Sequence, residues 1–298
     1  MKRYRVCCFD FDARANLLNR YWSPEAKNNI GKQIQQVQQS IINEFGQINA
    51  KEKIERFKEM GIKPFSIISY HNILLEQIRK SYVQGGFYAS LVGACSLGER
   101  ILNHLILDLR DYYKNDSQKQ EETHPCKDCN EFRELLQKGL IRTQFDIFTC
   151  KSCSNWNLMT SNLVQWGIIS SEVELLFKEL SKIRHKSIHF NEKTVMKLKE
   201  GSLEAIKKLQ DIIQKLFPAF GSDYFIPAKG EAYLRKELES KPFFKKYYLP
   251  NSQLVTPFHK VKQVMPRFII EDVSTVEDKN ISDEKFIKLR EDFLKKES

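Results

Sequence analysis

The sequence has no run of about 18 apolar residues, the length a helix needs to cross a bilayer, so no membrane span is expected. Neither GxxxxGK[ST] nor GxGxxG occurs, so no glycine-rich loop for a nucleotide phosphate can be read. The helical zinc-protease pattern HExxH is missing as well. Histidine is scarce, with six in 298 residues, so any clustering of them is informative. Cysteines number seven, and an odd count argues against a disulfide framework. The N-terminal "MKRYRVCCFDFDARANLL" begins basic, but Asp10, Asp12 and Arg14 interrupt its apolar residues. It does not read as a signal peptide, and a cytoplasmic location is expected.

The residues present describe a soluble chain able to build a core: 41% are hydrophobic and 29% charged. The formal net charge of +10 favours polyanionic partners through counterion release. By itself this charge is unspecific, because much of it lies on scattered helix faces.

Helical patterning dominates, and the fold class expected is mainly α. "YRVCCFDFD" alternates well enough for a strand or an extended arm. Ser23 and Pro24 open a helix with a cap and a proline at its first position. A short helix follows in "KEKIERFKEMG". Residues 66–113 read as two long helices broken at Gly85-Gly86, and small residues on the second allow close packing. "KNDSQKQEETHP" lacks apolar anchors and reads as a loop. Helical pattern resumes in "NLVQWGIISSEVELLFKELSKIRHKSIHF", with Ser171 as cap and Glu174 completing a capping box. A last strong helix ends at Pro218 and Gly221. Beyond it the chain is rich in aromatics, proline and lysine and reads as an arm with short elements. A closing helix is capped by Ser282. The organisation expected is an N-terminal extension (1–65), a helical bundle (66–221) with an insertion at about 124–155, and a C-terminal arm (222–298).

That insertion carries "CKDC" and, twenty residues later, "CKSC". Four thiolates satisfy tetrahedral zinc and leave no open position. Cys126, Cys129, Cys150 and Cys153 are therefore expected to hold one structural Zn2+ per chain. His124 is a less favoured replacement for one of them, and paired redox motifs are the competing reading.

The second dense cluster is "IRHKSIHF", where Arg184, His185 and His189 fall within six positions. Residues five apart lie roughly 140° round a regular helix, so Arg184 and His189 do not share a face. His185 and His189, at i and i+4, do. Joint action of Arg184 and His189 requires a helix end, a distortion or a second chain. The plainer reading is basic side chains meeting the negative end of a helix dipole.

The order of elements adds to this. "YHNILLEQIRKSYVQGGFYASLVGACSLGERILNHLI", "LLFKELSKIRHKSIHF" and "EKTVMKLKEGSLEAIKKLQDIIQKL" together resemble the HEPN superfamily, helical bundles associated with RNA cleavage and defence systems. The resemblance covers about 66–218, with the cysteine segment inserted, and rests on the Arg-x4-His spacing at the end of the third bundle helix. It implies a metal-independent endoribonuclease in which the substrate's 2′-hydroxyl attacks the adjacent phosphate. His189 would move the proton and Arg184 would stabilise the developing charge. His185 would orient substrate or a neighbouring side chain, and Glu99 would hold Arg184 or a histidine. A homodimer is implied, as is a role as toxin or antiviral effector, with an inhibitory or sensor protein as further partner.

Two other functions compete: a non-catalytic module binding RNA, a nucleotide or a protein, and a purely structural dimerising subunit. Lesser candidates are "FDFD" at 9–12 as a magnesium-binding pair, and "FFKKYYLPNSQLVTPFHKVK" as a base-stacking arm. The arm's aromatics are more simply read as packing on the bundle. His104 reads as a core-facing group on the second helix.

Overall fold

The computed structural model describes residues 3–4, 14–19, 24–109, 112–113, 156–188, 196–218, 223–228, 231–248, 260–264 and 267–271, with Lys288, Asp292 and Lys295 as isolated positions. The four paired cysteines, His124, His189, the "FDFD" stretch and the cap at Ser282 lie outside the described residues.

Among the described residues the chain is mainly helical. The helices are α1 (Arg14–Asn19), α2 (Pro24–Phe45), α3 (Ala50–Glu59), α4 (Ser69–Val83), α5 (Phe87–Leu109), α6 (Trp156–Gln165), α7 (Ser171–Ile188) and α8 (Leu198–Leu216). None is long and apolar enough to cross a membrane. α5 is central and packs against α4, α6, α7 and α8. Its buried stripe of Leu91, Ala94, Cys95, Ile101, Leu102 and Leu105 repeats at helical spacing.

Sequence punctuation places the helix ends. α2 begins at Pro24, where a missing N–H costs nothing. It ends before Gly46, whose φ is +86°, and the buried Lys53 ammonium donates to Phe45 O at 2.6 Å. A cation there satisfies C-terminal carbonyls that have no partner within the helix. α4 ends in a Schellman motif. Gly85, at φ +89°, donates to Tyr82 O, and Gly86 donates to Ser81 O at 2.8 Å. The same arrangement ends α6, where Gly167 donates to Val164 O and Ile168 to Leu163 O, both at 2.9 Å.

The start of α7 differs from expectation. Ser170 Oγ accepts from the Val173 amide at 3.3 Å, so Ser170 is the cap and Ser171 is the first helical residue. Glu174 falls one position too late for a capping box and pairs instead with Lys178 at 2.7 Å. Two adjacent serines compete for one role, and the turn at Gly167 delivers the first of them.

The bundle closes by direct contact where side chains are small. Ser90 Oγ on α5 and Ser202 Oγ on α8 lie 2.5 Å apart and both residues are buried. The connection from α3 to α4 is buried and tied to α8. Ile67 donates to Phe217 O at 2.8 Å, and the Asn72 amide bonds both Ser66 N and Ser66 O at 2.8 Å. Buried Arg79 donates to Gly61 O at 3.0 Å and to Gln210 Oε1, while Gln210 Nε2 donates to Met60 O at 3.0 Å.

After α8 the C-terminal region packs on the bundle with its aromatics, as the simpler sequence reading expects. Phe243, Phe244, Tyr247 and Tyr248 are buried around Phe217, and Tyr248 Oη donates to Leu216 O at 3.0 Å. Strands β1 (Arg3–Tyr4), β2 (Phe225–Ala228) and β3 (Glu231–Leu234) form an antiparallel sheet in the order β1-β3-β2. Arg3 pairs with Tyr233 and Tyr4 with Ala232, so the N- and C-terminal extensions are joined by backbone pairing. A separate hairpin pairs β4 (Lys260–Val264) with β5 (Arg267–Glu271).

Candidate functional site

The seam between α5 and α7 carries the residues of interest. The inward stripe of α7 runs Val173, Phe177, Leu180, each 5% exposed or less. Continuing it by one more turn arrives at Arg184. The core stripe therefore ends in a guanidinium where a further apolar residue would extend the packing. On α5 the neighbouring position is Glu99. Arg184 Nη2 lies 3.0 Å from Glu99 Oε2, with the two side chains 35% and 32% exposed.

One turn away the helices touch. A Cβ at Gly98 would collide with Leu180 Cδ2, so the absence of a side chain there sets how near α7 comes to α5. This approach brings Arg184 and Glu99 within reach of each other. Cys95, one turn before Glu99, forms the buried wall beside the pair. Burial is the main cause that pushes its thiol up to about 12; Glu99 adds to this and Arg184 opposes it. The thiol stays protonated at neutral pH and is a poor nucleophile.

An ion pair exposed to this degree contributes little stability, of the order of 0–1 kcal/mol. Its geometry suits a different use. Glu99 fixes one edge of the guanidinium, and among the described residues no hydrogen bond holds the rest of the planar donor fork. An anion approaching the seam can be met by those donors.

His185 does not share this seam. It is exposed and lies about 100° round the helix from Arg184. It stands on the outer face of α7 with exposed Lys182 and Lys186. α7 remains helical to Ile188, so the position of His189 relative to Arg184 falls outside the described residues. Ser187 Oγ donates to Arg184 O at 2.8 Å, a side-chain back-bond in the final turn.

The structure therefore brings Arg184 and Glu99 together and separates His185 from them. Cys95 belongs to neither of the two CxxC pairs, and its place beside the ion pair is not part of the sequence reading. The signal that would have found it is its i, i+4 spacing from Glu99 on a buried stripe. No group of three or more His, Cys, Asp or Glu is placed to hold a metal among the described residues. No family model, curated protein or solved structure matches the chain.

Proposed function

We propose that the chain is a HEPN-type endoribonuclease that cleaves RNA without a catalytic metal. The observation that carries this reading is the Arg184–Glu99 ion pair on the α5–α7 seam, two oriented charges at the end of a core stripe and open to solvent. The substrate's 2′-hydroxyl attacks the adjacent phosphorus, and the bond from phosphorus to the 5′-oxygen breaks. The products are a 2′,3′-cyclic phosphate and a 5′-hydroxyl. His189 transfers the proton, a role suited to an imidazole near neutral pH. Arg184 meets the charge on the equatorial oxygens, and Glu99 is a positioning residue that keeps the guanidinium aimed.

The remaining parts follow from the same reading. Two protomers form a homodimer, which supplies a composite site without requiring Arg184 and His189 to share one helix face. Cys126, Cys129, Cys150 and Cys153 bind one structural zinc per chain. The net charge of +10 supports an RNA substrate. The setting is cytoplasmic, as a toxin or defence effector restrained by a protein partner.

The test is incubation of purified protein with mixed RNA in EDTA, with end-group analysis of the products. Cleavage that leaves cyclic phosphate ends, and that disappears in His189→Ala with the fold unchanged, supports the reading. No cleavage by the unmodified protein on any RNA, with or without activators, replaces it with the non-catalytic binding module. Metal analysis of freshly purified protein tests zinc separately: one equivalent is expected, and its absence removes the four-cysteine site.

A further inference from the structure

The first turn of α5 carries an exposed aromatic ring. Tyr88 is 58% exposed, and of the exposed large hydrophobic residues among those described it is the one aromatic on an α-helix. It has no hydrogen bond and no ring partner among the described residues. A ring in that position adds nothing to the core and is a poorer helix former than alanine. Packing of the bundle does not call for it.

Its place follows from helix geometry. Tyr88 and Glu99 stand eleven residues apart on α5. That is three turns and roughly 20°, so the two share a face, with about 16 Å of rise between them. Residues 89–98 carry no charge, so nothing on α5 between the two repels a phosphodiester.

The neighbouring helices show which end of the bundle this is. Ser90 on α5 meets Ser202 on α8, so the first turns of these two helices lie side by side. α7 runs antiparallel to α8: Lys215 is 2.9 Å from Glu172, and Lys208 pairs with Glu179. The same register brings the last turn of α7 beside the first turn of α8. α7 thus ends, one residue before His189, at the end of the bundle that carries Tyr88. Arg184 lies one turn back from that end.

We infer that Tyr88 is a specificity-determining residue of the RNA site, where its ring stacks on the base of a nucleotide flanking the one whose phosphate meets Arg184. This rests on the RNA-cleaving reading above and adds to it the means by which one base is read. The separation from Glu99 assigns the ring to a neighbouring nucleotide and not to the one cleaved. An exposed ring takes an unpaired base, and a purine offers it the larger face.

The test uses the full-length protein and short single-stranded RNAs that carry each base, or an abasic residue, at the positions flanking the cleaved bond. Circular dichroism and sedimentation verify the fold and oligomeric state of each variant. The unmodified protein should favour a purine at one flanking position. Tyr88→Ala should erase that preference and lower kcat/KM roughly 5–150-fold, the loss expected for one base stack. Tyr88→Trp should keep it. An abasic residue at that position should cost the unmodified protein as much, and should cost Tyr88→Ala nothing more. Three results would overturn this inference and leave the function standing: an unchanged rate and base profile in Tyr88→Ala, additive losses from Tyr88→Ala and the abasic RNA, or an altered oligomeric state in Tyr88→Ala, which would assign the ring to an interface. Cleavage of no RNA by the unmodified protein would overturn both.

Discussion

Two arginines of this bundle occupy opposite situations. Arg79 is 3% exposed and donates to Gly61 O and Gln210 Oε1. Arg184 is about one-third exposed and faces a single carboxylate across a helix seam. The first holds together the α3–α4 connection and α8. The second has donors left over in a place solvent can reach. A buried guanidinium whose neighbours depend on it is a structural part, because removing it leaves acceptors with neither protein nor water to bond. One at an open seam adds little to stability and is free to serve a ligand.

The largest expected effect that separates the two is on cleavage. Arg184→Ala should lower RNA cleavage by about 10²–10³-fold, the usual cost of losing one donor to a developing oxyanion. The same change should move the unfolding free energy by less than about 1 kcal/mol. Arg79→Leu should do the reverse. It strands Gly61 O and Gln210 and should cost about 3 kcal/mol or more in denaturant unfolding. Equal destabilisation by the two changes would break the comparison.

The pH dependence of stability sharpens it. Burial is the chief cause that holds the fully buried His71 down at about 3, with His104 adding to the effect. Its folded value lies below the ordinary 6.5, so the neutral ring is favoured by folding. That stabilisation is complete above about pH 6.5 and is lost as pH falls toward 3, by up to about 1.4 kcal/mol per pH unit. His71→Gln should flatten the stability profile over that window, measured by urea midpoints at successive pH values. A smaller loss than that of Arg79→Leu should come from Lys53→Met, which keeps the buried stem but removes the ammonium from Phe45 O. About 1–2 kcal/mol of lost stability is expected, with cleavage unaltered.

The glycine-bounded parts of the fold are legible because few other residues adopt their backbone. The break at Gly85-Gly86 is readable since a residue at φ +89° is nearly always glycine. The buried face of α5 is readable from its periodicity, because burial repeats at the helical turn. The cap of α7 stands one residue before the Ser171 that the sequence points to. Ser170 and Ser171 are chemically alike, and only the path of the preceding turn distinguishes them. His104 was read as core-facing, yet it lies half-buried in a polar cluster, because α4 and the C-terminal turn bring Tyr70 and Lys246 to it from distant parts of the chain.

The candidate site divides in the same way. Arg184, His185 and His189 are conspicuous as a string, but a string does not show which of them turns inward. Three-dimensional packing put Arg184 on the stripe of Phe177 and Leu180 and put His185 outside it. The sequence alone determined the helix ends marked by glycine or proline and which faces are apolar, since these depend on backbone preference and local periodicity. Tertiary structure alone decided that Glu99 meets Arg184, that strand β1 joins β3, and that Tyr70 and Lys246 come up to His104 and Asp108. Those outcomes depend on how closely helices far apart in the chain approach, and side-chain volume at points such as Gly98 sets that distance.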